Sequence, residues 1–391
     1  MTMPDLETTW SMAKVVRDMM ESHWRADLGY SVPNPATYPH LWLWDSCFHA
    51  VIWALLGDVR AARELEAVLT GQLAGGMVPH MRYGAAGPDT WLGPLEKTSS
   101  LTQPPMFGHA VRVVMEAGIT VAPSVLAKAK AGLDWLWDNR RTKDGLIYVV
   151  HPWEAGNDHS PRWDSWGAPG PTKDGYDRQA RTAWNKDRMR DVSFGPDGSG
   201  VWSSAFVVCP AAFNAYTAFN FRELAAVTED QRLEAKAAEL ADSMDAFLWN
   251  EDERLWSDLA VVGGGASASI PISDGVMGAL VTADAVKAQA ALQQLDDPSR
   301  FHAPFGPSNV VRAHVAYQPD MYWRGPAWPP LNYLFTLAAQ RHGMEGTVQR
   351  LKKATAAGVA ASGFAEYWNP EVGRGLGAVP QSWAGLVIGM Q

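Results

Sequence analysis

The sequence predicts an all-α fold. Two observations carry that expectation: apolar residues recur at helical spacing along most of the 391 residues, and extended alternating runs are few. A third observation narrows it. About twelve helices fall in consecutive pairs, joined by alternating short and long connections. Six inner and six outer helices of this kind suggest an (α/α)6 barrel, with long loops forming a pocket at one end. An open α-solenoid is the competing layout. No constant repeat of roughly 33 to 47 residues is visible, which argues for the closed form.

Residues 5–27 open the series, placing Trp10, Ala13, Val16, Met19, Met20 and Trp24 at helical spacing. A second, strongly apolar helix covers 43–56 and is closed by Gly57. Asp58 caps a third at 59–74. The pattern recurs at 103–118, 122–139, 204–226, 229–248, 273–282, 284–295, 327–342, 344–361 and 381–390. Two stretches, 135–149 and 247–259, echo each other: each ends a helix, passes a charged turn and enters a short extended segment. No interdomain linker is evident, so residues 1–391 are expected to form one catalytic domain. The Gly/Pro/Trp-rich stretch 163–200 reads as a long loop lying over the site like a lid.

Composition excludes several classes. Hydrophobic residues make up 47% and charged residues 19%, a globular balance. Acidic residues outnumber basic ones, 42 to 33, so no nucleic-acid partner is expected. Cys47 and Cys209 are the only cysteines, outside any ligand spacing, which argues against a zinc site or disulfide scaffold and fits a reducing compartment. The opening MTMPDLETTW does not read as a signal peptide, and the longest apolar run, Ala50 to Leu56, is far too short for a bilayer. A cytoplasmic protein without a membrane partner is the expectation.

Nineteen tryptophans are the most unusual number. Many adjoin Asp, Glu, Arg, Asn or Pro, as in HLWLWDS, HPWE, SPRWDSW, MYWRGPAWPP and EYWNP. Aromatic faces mixed with carboxylates and amides suit a sugar ring, which offers apolar C–H faces and hydroxyl edges. A large aromatic core is the plainer reading of the same residues.

Nucleophile elbows, HExxH and phosphate-binding loops are absent from the sequence, which leaves paired carboxylates. Asp158 lies in a loop after Gly156-Asn157, with Glu154 and Asp164 nearby as like charges that would raise a pKa. A raised pKa is what a general acid needs; a solvated turn or helix cap is the alternative. Glu366 sits among Phe364, Tyr367 and Trp368, placed to activate water or bind a sugar hydroxyl; a core acid paired with Arg324 or Arg374 is the alternative. Trp42, Trp44 and Asp45 open the second helix, Gln103 starts the fourth, and Tyr322-Trp323-Arg324 precede the tenth. Arg324 also suits a structural ion pair, and Asp45 a helix-dipole charge.

In order along the chain, PHLWLWDSCFHA (39–50), GMVPH (76–80), TQPP (102–105), AGNDHSPRWD (155–164), YWRGPAWPPLNYL (322–334), EYWNPEVGRGLGA (366–378) and SWAG (382–385) resemble glycoside hydrolase family 63. The resemblance is nearest to its small bacterial members, the α-glucosyl- and α-mannosylglycerate hydrolases. It implies an inverting α-glycosidase on an (α/α)6 barrel. It further implies Asp158 as general acid, with His159 where the family usually has Asn, and Glu366 as general base. Tyr38, Trp42, Asp45 and Gln103 match positions that hold the glycosyl unit. Tyr322 and Trp323, with Arg324 beside them, match positions near the aglycone; Trp163, Tyr367 and Trp368 are expected to line the same site. Residues 165–200 depart from the relatives' mobile loop, which supplies an Arg and a Tyr to glycerate; Tyr176 and Arg178 are candidates to replace them. No cofactor or metal is needed, since two carboxylates suffice. The expected partner is a small α-glucoside or α-mannoside, first of all a glycosylglycerate. The alternatives are another small α-linked saccharide, or a sugar-binding barrel without turnover.

Overall fold

Leu43–Leu55 shows how the interior is made. Its sequence LWDSCFHAVIWAL is apolar nearly all round, and every residue from Leu43 to Ala54 is buried. A helix with no polar face belongs in a core. Ala211–Thr228 is a second of this kind, and its buried Thr217 and Asn220 turn their side chains back onto the carbonyls of Phe213 and Tyr216, both at 2.8 Å. Arg60–Thr70, by contrast, buries one stripe, Ala61, Glu64, Leu65, Val68 and Leu69, and belongs outside.

The computed structural model describes residues 6–84, 87, 92–172, 175–264 and 270–391. Among them are eleven α-helices: α1 (Leu6–His23), α2 (Leu43–Leu55), α3 (Arg60–Thr70), α4 (Phe107–Glu116), α5 (Pro123–Asn139), α6 (Arg178–Arg188), α7 (Ala211–Thr228), α8 (Gln231–Phe247), α9 (Ala285–Gln293), α10 (Pro329–Arg341) and α11 (Glu345–Ser362). Two 3₁₀ segments, Ser273–Leu280 and Ser382–Met390, complete the core. The packing closes on itself. α2 meets α4, α4 meets α7, α7 meets Ser273–Leu280, that segment meets α10, α10 meets Ser382–Met390, and this last meets α2. α1, α3, α5, α8, α9 and α11 pack against this circuit from outside. The fold is a helical toroid, trimmed by six two-stranded sheets among the described residues.

Several expected boundaries shift, for local reasons. The helix expected at 103–118 begins at Phe107, because Pro104 and Pro105 hold Gln103 and the residue after it extended. That expected at 204–226 begins at Ala211; the β-branched Val207-Val208 pair with Leu259–Val262 instead, and Pro210 marks the change. The first helix ends at His23, after which Trp24–Arg25 pairs with Tyr30–Ser31; the side chain of Trp10 lies outside the described residues. The helix expected at 273–282 is Ser273–Leu280, wound as 3₁₀ rather than α. In a 3₁₀ turn positions three apart share one edge, so Gly275 and Gly278 both lie on Trp256, where a Cβ on Gly278 would fall 2.3 Å from the indole.

The stretch 163–200 is not a bare loop. It continues the 3₁₀ turn Pro161–Trp166, carries α6, capped by Asp177 at 2.9 Å from the Ala180 N–H, and enters the hairpin Val192–Phe194/Gly200–Ser203; residues 173 and 174 lie outside the described residues. The two echoes have matching structures: α5 and α8 each run into a short antiparallel turn, Arg141 with Ile147 and Trp249–Asn250 with Leu255–Trp256. No described helix is long and apolar enough to cross a membrane. Cys47 and Cys209 are free thiols, both buried.

Candidate active site

The connections that lead into the inner elements meet at one cavity of about 560 Å³, counting its mouth. Tyr38 closes a turn in which Asn34 Oδ1 accepts the N–H groups of Ala36 and Thr37 at 3.0 and 2.9 Å. Trp42, Trp44 and Asp45 stand at the start of α2; Gln103 accepts the Trp44 N–H at 3.3 Å from the segment before α4. Tyr322 comes from the connection into α10, and Gln381 and Trp383 from the entry to the last 3₁₀ segment. Asp158 and Glu366, 208 positions apart in sequence (366 minus 158), line this same cavity.

Asp158 follows Gly156, whose φ of 81° turns the chain sharply. Any Cβ there would also press on the Trp44 ring at 2.9 Å, so glycine is required twice over. Burial raises the Asp158 carboxyl to about 7; Glu366 adds to the rise, while its own backbone N–H, Arg178 and Arg181 oppose it. Glu366 is 2% exposed. It accepts the Ala378 N–H at 2.9 Å and the Tyr38 hydroxyl at 3.1 and 3.2 Å, and its backbone carbonyl accepts the Trp383 indole at 2.8 Å. Burial raises its pKa against these donors and Arg178. Asp45 is pushed up as well, first by burial and then by Glu366. Three acids thus face one poorly solvated space, with Arg178 as a nearby cation, its guanidinium 4.5 Å from the Tyr322 ring centre and near enough to Tyr367 to oppose the rise of its pKa.

The causes differ from the sequence expectation. Glu154 does not act on Asp158 as a like charge: it is saturated by Arg140 at 2.8 and 2.9 Å and by the N–H groups of Thr102 and Val150. Asp164 is held by Arg324 at 2.6 and 3.0 Å and by Arg181 at 2.7 Å. Arg324 therefore serves an ion pair with Asp164, and Arg374 one with Asp320; neither pairs with Glu366. His159 turns its Nδ1 to the Tyr176 hydroxyl at 2.8 Å, and burial, with three arginines, lowers its pKa to about 3.

Of the residues singled out in the sequence, Tyr38, Trp42, Trp44, Asp45, Gln103, Asp158, Tyr322 and Glu366 line the cavity. Trp163, Trp323, Arg324, Tyr367 and Trp368 stand behind its wall. Trp163 is fully buried against Phe206 and Trp166, its indole N–H spent on the Asn157 carbonyl at 3.0 Å. Trp323 lies flat on Trp328, ring centres 3.6 Å apart, and Tyr367 stacks on the far side of that pair at 4.5 Å from Trp328. Trp368 donates to the Phe305 carbonyl at 2.6 Å. Sequence reasoning missed His80, Trp153, Gln381 and Trp383, which do line the cavity. His80 is buried, kept neutral with its pKa lowered to about 3, and bonded to Ser99 at 2.6 Å. The signals existed: His80 ends GMVPH, Trp153 lies in HPWE, and Gln381 and Trp383 flank Ser382 in QSW. No group of three or more His, Cys, Asp or Glu among the described residues could hold a metal ion.

Known proteins resemble this chain over nearly its whole length. Glucosylglycerate hydrolase of Mycolicibacterium hassiacum is 28% identical, the match covering 93% of this chain and 94% of that protein. Mannosylglycerate hydrolase of Rubrobacter radiotolerans is 26% identical over 98% and 97%. The crystal structure of a GH63 mannosylglycerate hydrolase of Thermus thermophilus with Tris and D-glycerate superposes with a TM-score of 0.80 at 26% identity, covering 96% of this chain and 99% of that one. The family model for the mannosylglycerate hydrolase MGH1-like glycoside hydrolase domain matches residues 38–384. The chain belongs to this family of GH63 glycoside hydrolases.

Proposed function

We propose that the protein is an inverting α-glycosidase that hydrolyses 2-O-α-glucosylglycerate or 2-O-α-mannosylglycerate, with Asp158 as general acid and Glu366 as general base. One observation carries the reading. Two carboxylates from distant loops share a cavity; one is pushed to about 7 and the other receives two hydrogen-bond donors. Asp158 gives its proton to the glycosidic oxygen as the bond from C1 to that oxygen breaks. Glu366 takes a proton from a water whose oxygen attacks C1 from the opposite face, giving the β-anomer and free glycerate. Exchange with solvent then restores both protonation states. Tyr38, Trp42, Asp45, Gln103 and His80 contact the glycosyl unit, and Tyr322 the aglycone. Arg178, close to Tyr322 and Tyr367, faces the glycerate carboxylate.

The closed packing circuit supports an (α/α)6 barrel in which two of the six inner elements are wound as 3₁₀. On this reading the chain is a single catalytic domain with 163–200 as its lid, and its free thiols suit the cytoplasm. The test is a proton NMR time course with both glycosylglycerates and a panel of neutral α-disaccharides. Early β-anomer from a glycosylglycerate is the expected result. Early α-anomer overturns inversion, and turnover of neutral disaccharides alone removes the glycerate and the role of Arg178.

A further inference from the structure

The residues lining the cavity do not account for how Asp158 is held there. Its loop joins two short 3₁₀ turns, Pro152–Ala155 and Pro161–Trp166, and belongs to no sheet. The preceding residue, Asn157, is only 4% exposed and fully engaged. Its Nδ2 donates to Asp274 at 2.5 Å, its Oδ1 accepts from the Arg162 guanidinium, and its carbonyl accepts the Trp163 indole at 3.0 Å and the Ser160 N–H at 3.1 Å. Arg162 also reaches Asp274 at 3.0 Å and Asp258 at 3.2 Å. Both acids belong to the frame: Asp274 sits in the first turn of Ser273–Leu280, and Asp258 accepts the Ala211 N–H at the start of α7, at 2.9 Å. One guanidinium thus ties the loop of Asp158 to two inner elements, and none of these four residues lines the cavity.

Burying a cation, a carboxylate and an amide, with Asp258 half-buried beside them, is a poor way to gain stability, because apolar side chains of equal volume usually do as well. A fixed geometry is what such a cluster supplies. We infer that Asn157, Arg162 and Asp274 are positioning residues for the acid: by fixing the peptide that enters Asp158, they aim its carboxyl at the leaving oxygen. This rests on the reading of Asp158 as general acid.

The leaving group gives the test. A glycosidic oxygen needs a proton in order to depart, whereas fluoride leaves a glycosyl fluoride as the free ion and needs none. Asp158→Asn, Asn157→Ala, Asp274→Ala and Asp274→Asn are to be assayed on the glycosylglycerate and on α-glucosyl and α-mannosyl fluoride. Asp158→Asn is expected to lose the glycoside and keep the fluoride. Asn157→Ala and Asp274→Ala copy it more mildly: kcat on the glycoside falls about 10²-fold, KM stays within about threefold, and fluoride hydrolysis stays near wild type. Asp274→Asn recovers part of the loss. Equal losses on both substrates, or no loss on either, overturn the positioning role. Should Asp274→Ala fail to fold, Asn157→Ala decides, since it leaves Arg162 and Asp274 paired. If Asp158→Asn itself does not separate the two substrates, the acid assignment falls and the inference with it.

Discussion

Glu154 and Asp158 lie four positions apart on the same connection, and their surroundings are opposite. Glu154 is fully buried and meets the fork of Arg140 with both oxygens, plus two backbone N–H groups. Asp158 opens onto the cavity and is raised to about 7 by burial. The first carboxylate has a matched donor for each lone pair and is part of the frame. The second has lost water without gaining a counter-ion in contact, so its proton is held close to neutrality, where the proposed general acid needs it. Two acids of one loop thus separate into an architectural one and a proposed reacting one by their partners alone.

The contrast can be broken by four measurements. The largest effect is expected at the cavity: Asp158→Asn and Glu366→Gln each lower kcat/KM on the glycosylglycerate about 10²–10⁴-fold with the fold intact, read by steady-state kinetics and circular dichroism. Near-normal turnover in either would end that residue's assigned role. Glu154→Ala strands the Arg140 charge in the interior and is expected to cost about 3–5 kcal/mol in urea unfolding. A variant as stable as the wild type would mean that the matched fork is not structural after all.

Next comes Tyr38→Phe. The Tyr38 hydroxyl stabilises the ionised form of Glu366, so its loss raises the Glu366 pKa further. A base must be ionised, and the acidic limb of the pH–rate profile therefore moves to higher pH, with kcat down about tenfold. An unmoved limb would separate Tyr38 from the base. The smallest effect concerns stability. The native pKa of Asp158, about 7, lies above its ordinary value of 3.8, so its contribution is present below the ordinary value and is lost as pH rises through 7. Asp158→Asn suffers no such loss, and its melting temperature should gain on the wild type by about 2–5 °C between pH 5 and pH 8. A constant offset would show that burial does not set this titration.

How much of this the sequence disclosed follows from what each feature depends on. Helices with a clear apolar face, such as 122–139 and 344–361, are legible because period and burial coincide. The 3₁₀ winding of 273–280 was not, because it answers to Trp256, which lies outside that segment and packs on Gly275 and Gly278. α6 lies within a stretch rich in proline, glycine and tryptophan, where the cap at Asp177 is the one local sign of a helix start. At the site, Asp158 and Glu366 stood out through their unusual neighbours. Trp163, Trp323 and Trp368 carry the same polar-aromatic signature and are core: the indole N–H of Trp163 and of Trp368 is as well satisfied by a carbonyl as by a sugar, and Trp323 is held flat on Trp328. His80 and Gln381 stand in or beside the short motifs GMVPH and SWAG, but it is the closing of the toroid that brings them to the cavity.

That closing has a consequence for how the protein is made. The wall beside Glu366 is supplied by Gln381 and Trp383, and this late segment is fastened to an early one: Asn34 donates to the Pro380 carbonyl at 2.8 Å across 346 positions, and Ser382 donates its N–H to the Pro33 carbonyl at 3.1 Å. Contacts so distant in sequence form late, because the loop between them must be ordered first. During synthesis, Tyr38, Asp45, Asp158 and finally Glu366 leave the ribosome while the cavity still lacks a side. A product ending before Gln381 carries every proposed reacting group and lacks one wall of the cavity in which they meet.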